Sequence, residues 1–204
     1  MIRPLPFVIP PSARRVLLTL AATGALAGLA ACAGPSVQDY AQEKPVLDLR
    51  DYLNGPLTAQ GLFTDRSGRV VKRFTVQMTG QWQGEEGTLD EHFRYSDGTT
   101  QRRVWHLRHL GDGRYVGRAD DVVGEARGES AGNAFHWTYT LALPVDGRVW
   151  NVEFDDWMYR MDETTVLNRS AMSKFGLHLG DVTLAFTKPA QAASSPSGTI
   201  NHQD

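Results

Sequence analysis

One cysteine, Cys32, stands in a chain of 204 residues. An intrachain disulfide is therefore impossible, and the fold must be held by a buried core rather than by cross-links. Long apolar runs are nearly absent. The longest, residues 16–31 (VLLTLAATGALAGLAA), is shorter than the ~20 residues a spanning helix needs, and no later run approaches that length. Positive charge is not in excess either. Three arginines and no acids precede Cys32, so the remainder carries 18 Lys and Arg against 23 Asp and Glu, a formal −5. A nucleic-acid binder is ordinarily basic, so no nucleic-acid partner is expected. Both signs are scattered, which suits solubility and singles out no partner. The HExxH helix is missing, so that zinc arrangement does not apply.

What is present at the N-terminus is an ordered set of export signals. Arg14 and Arg15 precede a small-residue apolar stretch that ends in Leu29-Ala30-Ala31-Cys32. Basic residues, apolar core and small residues in that order describe a signal peptide. The ending resembles the lipobox of bacterial lipoproteins. That resemblance implies cleavage before Cys32 and a diacylglycerol thioether on its sulfur. Residues 1–31 are then the signal peptide and Cys32 the lipidation site. Each buried methylene contributes ~0.8 kcal/mol to partitioning, so two or three acyl chains hold durably. Ala33 after the cysteine points, by resemblance to enteric lipoproteins, to the outer membrane and a chain facing the periplasm. The expected partner through this end is the membrane.

Residues 32–46 are expected to form a tether and residues 189–204, rich in Ser, Ala and Pro, a disordered tail. Between them, residues 47–188 are enough for one domain with a real core. Ser67-Gly68, Asp97-Gly98, Asp112-Gly113 and Asp146-Gly147 separate alternating runs, as the positive φ angles of tight hairpins require. Val70, Phe74, Val76, Met78 and Trp82 share one strand face. Phe135, Trp137, Tyr139, Leu141 and Leu143 share another, and Val182, Leu184 and Phe186 a third. The expectation is an all-β domain of nine or ten sequential antiparallel strands. Closure into an up-and-down barrel removes the two open edges, with a two-sheet sandwich as the alternative. Residues 161–176 leave room for a helical turn capped by Asp162.

Several stretches carry a resemblance across residues 57–188. They are RSGRVVKRFTV, DEHFRYSDG, RVWHL, RYVGRADDVVGEARG, GNAFHWTYTL, FDDWM and NRSAMSKFG. Together they resemble a family of bacterial lipoproteins known only as a domain of unknown function. The resemblance implies a lipid anchor and no particular activity. Gly80-Gln81-Trp82 also resembles the Gly-x-Trp signature of lipocalins, which implies a lipocalin-like barrel.

Chemistry is expected where polar residues fall on apolar faces. In NVEFDDWMYRM, alternation sets Asp156 with Phe154 and Met158, while Asp155 and Trp157 take the other face. Glu91 goes with Leu89 and Phe93, Arg103 with Trp105 and Leu107, and Asp121 with Tyr115, Ala119 and Val123. Four strands would thus each aim one charge inward. A lone buried charge costs several kcal/mol unless paired, so these groups should meet one another or a ligand. Arg103 is the natural partner of an acid, with Arg169 and Lys174 as further cations. The candidate ligand-binding set is Glu91, Arg103, Asp121, Asp156 and Arg169, a polar floor in a cavity for a lipid or similar amphiphile. The competing meaning is a buried ion-pair network that sets strand register. Adjacent acids on a strand face apart, so Asp155 with Asp156 does not make a catalytic pair. His106 and His109, three apart, fall on opposite strand faces, and no metal site or cofactor is expected. Of the tryptophans, Trp82, Trp137 and Trp150 are expected inward and Trp157 outward.

Overall fold

Alternation of buried and exposed side chains runs through the long strands. In Val70–Gln83, Phe74, Val76, Met78 and Gly80 are buried while Arg73, Thr75, Gln77 and Thr79 are exposed. A strand with one apolar face must cover it, and here the sheet covers it by curling onto itself. The computed structural model describes residues 34–145 and 147–189. Cys32 and the signal region lie outside the described residues, as do Asp146 of the fourth turn pair and the tail from residue 190.

Among the described residues ten strands follow in chain order. They are β1 (Gly55–Asp65), β2 (Val70–Gln83), β3 (Glu86–Tyr95), β4 (Thr100–His109), β5 (Arg114–Arg118), β6 (Ala126–Ala131), β7 (Ala134–Val145), β8 (Arg148–Arg160), β9 (Thr165–Lys174) and β10 (Leu177–Thr187). Each pairs antiparallel with the next, and β1 closes on β10 from Thr58↔Thr187 to Asp65↔Gly180. The product is a closed up-and-down barrel, so neither open edge is left. The sandwich alternative does not occur.

The turns follow local chemistry. Asp112 and Gly113 both take positive φ, 54° and 72°, between β4 and β5, the backbone that a twisted hairpin favours. Asp65, Asp97 and Asp162 each accept a backbone N–H from the Ser or Thr two residues on, at 2.9, 3.1 and 2.7 Å. Asp162 therefore closes the β8–β9 turn, and the helical turn considered for residues 161–176 is replaced by strand β9. The reason lies in pairing. Residues 165–174 face both β8 and β10, which satisfy their backbone groups on both sides.

A short helix, α1 (Leu49–Tyr52), stoppers the end of the barrel where β1 begins. Asp48 caps it by accepting the Arg50 N–H at 2.8 Å. Leu49, Tyr52 and Leu53 are buried with the core, and the Tyr52 hydroxyl donates to the Thr164 carbonyl at 2.9 Å. Gly80 makes this seating possible, because a Cβ there would lie 1.6 Å from the Leu53 carbonyl oxygen. The glycine of the Gly-x-Trp triplet thus lets the stopper approach β2.

The segment expected to be a loose tether is ordered from Val37 onward. Val37–Tyr40 forms one 3-10 turn against β6 and β7. Val37 is buried, and the Tyr40 ring packs edge-on against Trp157 and Tyr159. Alternating polar residues hide this contact in the sequence, since only Val37 and Tyr40 supply apolar surface.

Candidate functional site

The barrel encloses a cavity of about 190 Å³. Its walls are aromatic and aliphatic, with Phe74, Phe93, Trp105, Trp137, Tyr139 and Phe154 prominent. Leu49 and Leu53 close it at the α1 end. At the other end its lining residues Phe63, Tyr95, Gln101, Leu143 and Leu184 are only half-buried. That end is the mouth.

Strand register brings the first ion pair together. Glu91 on β3 and Arg103 on β4 are cross-strand partners, so their side chains share the inner face. Arg103 then turns to the mouth. Its Nε donates to both Asp121 oxygens at 3.0 Å and its Nη2 to Oδ2 at 2.7 Å. Gln101 also donates to Asp121 at 3.4 Å, and Tyr95 donates to Gln101 at 2.8 Å. Phe93 and Trp105 have their ring centres 5.5 and 5.9 Å from the guanidinium carbon, a cation–π setting that also limits its movement.

Asp121 reaches this network from a turn, not a strand. β5 ends at Arg118, and residues 119–125 fold over β7, with the Ala142 N–H donating to the Asp121 carbonyl at 2.8 Å. The expected inward direction holds, but its cause is this crossing rather than alternation with Tyr115.

Asp156 on β8 forms a second cluster. It is 5 % exposed and accepts from the Trp137 indole at 3.3 Å, the Tyr139 hydroxyl at 3.0 Å and the Asn168 amide. Burial pushes its carboxyl up to about 6 despite those three donors. Glu91, 8 % exposed, is pushed up to about 7 by burial, only partly offset by the Arg103 charge. Burial likewise drives the Tyr139 hydroxyl well above its ordinary value, reinforced by the Asp156 charge. A low-dielectric surround disfavours the charged form of each group.

Arg169 does not belong to the site. Its side chain is 77 % exposed and lies 3.9 Å from Asp181 on the outer wall. The register explains it: Asp156 pairs with Ser170 and Trp157 with Arg169, so Arg169 shares the outer face of Trp157. Lys174 is also outside the cavity, at the mouth rim, with Nζ 4.5 Å from the Trp150 ring centre and 4.9 Å from that of Phe175. Trp150 keeps the inward parity but sits beyond the packed wall and is 41 % exposed. Trp82 and Trp137 are inward, with Trp82 packed on Tyr115. Trp157 is on the outer face, stacked on His136 at 4.2 Å. Asp155 is outward too, its carboxylate 2.9 Å from His136 Nε2.

Asn168 and Ser170 are the polar residues that sequence reasoning missed. β9 places Val166, Asn168, Ser170 and Met172 on one face, and the first three are buried. Anchoring alternation on Val166 finds them and sends Arg169 outward in the same step.

A family model, described as a protein of unknown function (DUF3833), matches residues 26–188. The chain belongs to that family. Among curated proteins nothing matches. Among solved structures, the S-type phycobiliprotein lyase CPES from Guillardia theta is similar, with a TM-score of 0.55 and 5 % sequence identity. The match covers 78 % of this chain and 100 % of that one. At that identity the likeness concerns the barrel alone.

Proposed function

We propose that this chain is a lipid-anchored protein of the bacterial envelope that holds a small hydrophobic or amphipathic molecule in its barrel and carries out no covalent chemistry. The observation that carries this reading is the cavity itself. It is apolar, stoppered at one end, and lined by a few placed polar groups, as binding pockets are. An apolar cavity of ~150 Å³ accepts a benzene-sized molecule. The 190 Å³ here suits a slightly larger occupant, of about eight non-hydrogen atoms. A longer chain would extend through the mouth. The export signals and Cys32 support anchoring, and Ala33 supports the outer membrane facing the periplasm. Two of the three acids are already engaged, which supports binding rather than hydrolysis: Asp121 is occupied by Arg103, and Asp156 by three donors. Native mass spectrometry of the chain from residue 33 onward tests the reading. Co-purified small molecule, lost when Leu141→Trp fills the cavity, is the expected result. An empty wild-type barrel that takes up no added amphiphile would sink it.

A second reading is an interaction module, favoured by the mouth rim. Val145, Val149, Trp150, Phe175, Leu177 and Leu179 are all exposed on the tips of the β7–β8 and β9–β10 hairpins. Such a patch marks a contact surface. In that reading the rim docks another envelope protein. Loss of a crosslinked envelope partner in Phe175→Ser/Leu177→Ser, with cavity binding intact, would favour it.

A further inference from the structure

We propose that the cavity selects amphiphilic amines: an apolar chain whose protonated nitrogen is received by Glu91 and its neighbours. The inference rests on the cavity-binding reading and names the chemistry of its headgroup.

Charge sets the preference. Among the cavity-lining residues the charged ones are Glu91, Arg103 and Asp156. Arg103 is the single cation of that set, and Asp121 holds it through Nε and Nη2. A carboxylate or phosphate headgroup would have to share Arg103 with Asp121, through Nη1, while standing beside Glu91 and Asp156. Like charges in a low-dielectric space disfavour that strongly.

Hydrogen bonding points the same way. Glu91 Oε2 is buried without a hydrogen-bond partner, and so is Ser170 Oγ. Arg103 Nη1 lies 3.8 Å from Oε2, beyond hydrogen-bond reach. Buried polar atoms are nearly always paired, so an orphaned carboxylate oxygen in a cavity wall points to a donor supplied from elsewhere. An ammonium brings three donors and no acceptor, and it neutralises charge as well. An alcohol brings one donor and neutralises nothing.

Several groups face these carboxylates. Arg103 and Trp105 on β4, Asp121 on the β5–β6 turn and Asp156 on β8 act on Glu91. Trp137 and Tyr139 on β7, Asn168 on β9 and the adjacent Asp155 act on Asp156. With Arg103 and all three acids ionised, three carboxylates face one guanidinium and the cluster is short of positive charge. The burial-raised protonation of Glu91 and Asp156 in the empty cavity is consistent with that deficit. An arriving ammonium would hold both in the ionised form, so amine affinity falls when pH is lowered through their range.

Calorimetric titration with n-octylamine, n-octanol and octanoate tests the proposal, using wild type, Glu91→Gln and Asp156→Asn. In wild type at about pH 8, octylamine is expected to bind about tenfold or more tighter than octanol, with octanoate weakest. That preference should shrink towards unity in Glu91→Gln and in wild type at about pH 5. Octanoate or octanol binding wild type as tightly as octylamine would overturn the proposal, as would a preference retained in Glu91→Gln. If Glu91→Gln does not fold, Asp156→Asn and the wild-type pH comparison decide in its place. Octanol binding without any amine preference removes the headgroup assignment and leaves the cavity reading standing. Failure of all three probes removes both.

Discussion

Glu91 and Arg103 show how the members of one ion pair can carry opposite energetic signs. Glu91 binds its proton more tightly folded than unfolded, because burial raises it to about 7 from an ordinary 4.5. Its stabilising contribution is therefore complete below about pH 4 and is lost as pH rises through 7. Asp156, raised to about 6 from 3.8, behaves the same way through its own range. At ~1.4 kcal/mol per pH unit, each withdraws about 3 kcal/mol of stability by the upper end of its range. Glu91→Gln should flatten the rise of relative stability towards low pH. At about pH 8 the variant should match or exceed wild type in melting temperature, read by circular dichroism. A variant markedly less stable than wild type at that pH would contradict the assignment. Arg103 has the reverse role. Arg103→Met strands Asp121 and Glu91 together, and urea unfolding near neutral pH should report a loss of about 3–5 kcal/mol. A loss below about 1 kcal/mol would mean that the ion pairs are solvated rather than buried.

At the scale of elements, the stopper helix decides whether the barrel has one mouth or two. Four residues cannot hold a helix alone, so α1 depends on the seat that Gly80 leaves for Leu53. Gly80→Ala forces the helix off β2, and overpacking of this kind costs about 1–3 kcal/mol. The expected outcome is that loss in chemical denaturation, together with faster exchange of the Tyr52 and Leu53 amides. Both amides are bonded within the helix turn, to the carbonyls of Asp48 and Leu49. Unchanged exchange at those two amides would show that α1 does not need the glycine. The β5–β6 turn is a second device of this kind. It carries Asp121 over the mouth, where a longer β5 would have sent the same residue elsewhere.

For the whole molecule, the proposed anchor and the cavity are separable. The ordered chain reaches the barrel wall at Val37, against β6 and β7, five residues after Cys32. Fully extended, five residues reach at most ~18 Å. Cys32→Ser should move the protein from the membrane to the soluble fraction on fractionation, and firm attachment of that variant would refute acylation as the anchor. Cavity ligand binding should be unaffected by the same substitution, since Cys32 precedes every strand. The exposed rim predicts a separate effect. Phe175 is 87 % exposed and packs on little within its own fold. Phe175→Ser should therefore leave the unfolding free energy, read by urea titration, within about 0.5 kcal/mol of wild type.

The sequence by itself determined the local features. Period-two patterning announced the strands, Gly-containing pairs announced several of the turns, and the same alternation put Asp156, Glu91 and Arg103 on inner faces, because side-chain direction along a strand depends only on neighbours. Tertiary structure decided what alternation cannot know. Register against β8 turned Arg169 outward and Asn168 inward. A crossing turn delivered Asp121 to Arg103. Two scattered side chains, Val37 and Tyr40, bound the expected tether to the wall. Closure of β1 on β10 then made separate inner faces into one cavity. Each of these outcomes rests on contacts between residues far apart in the chain, and no local pattern encodes such a distance.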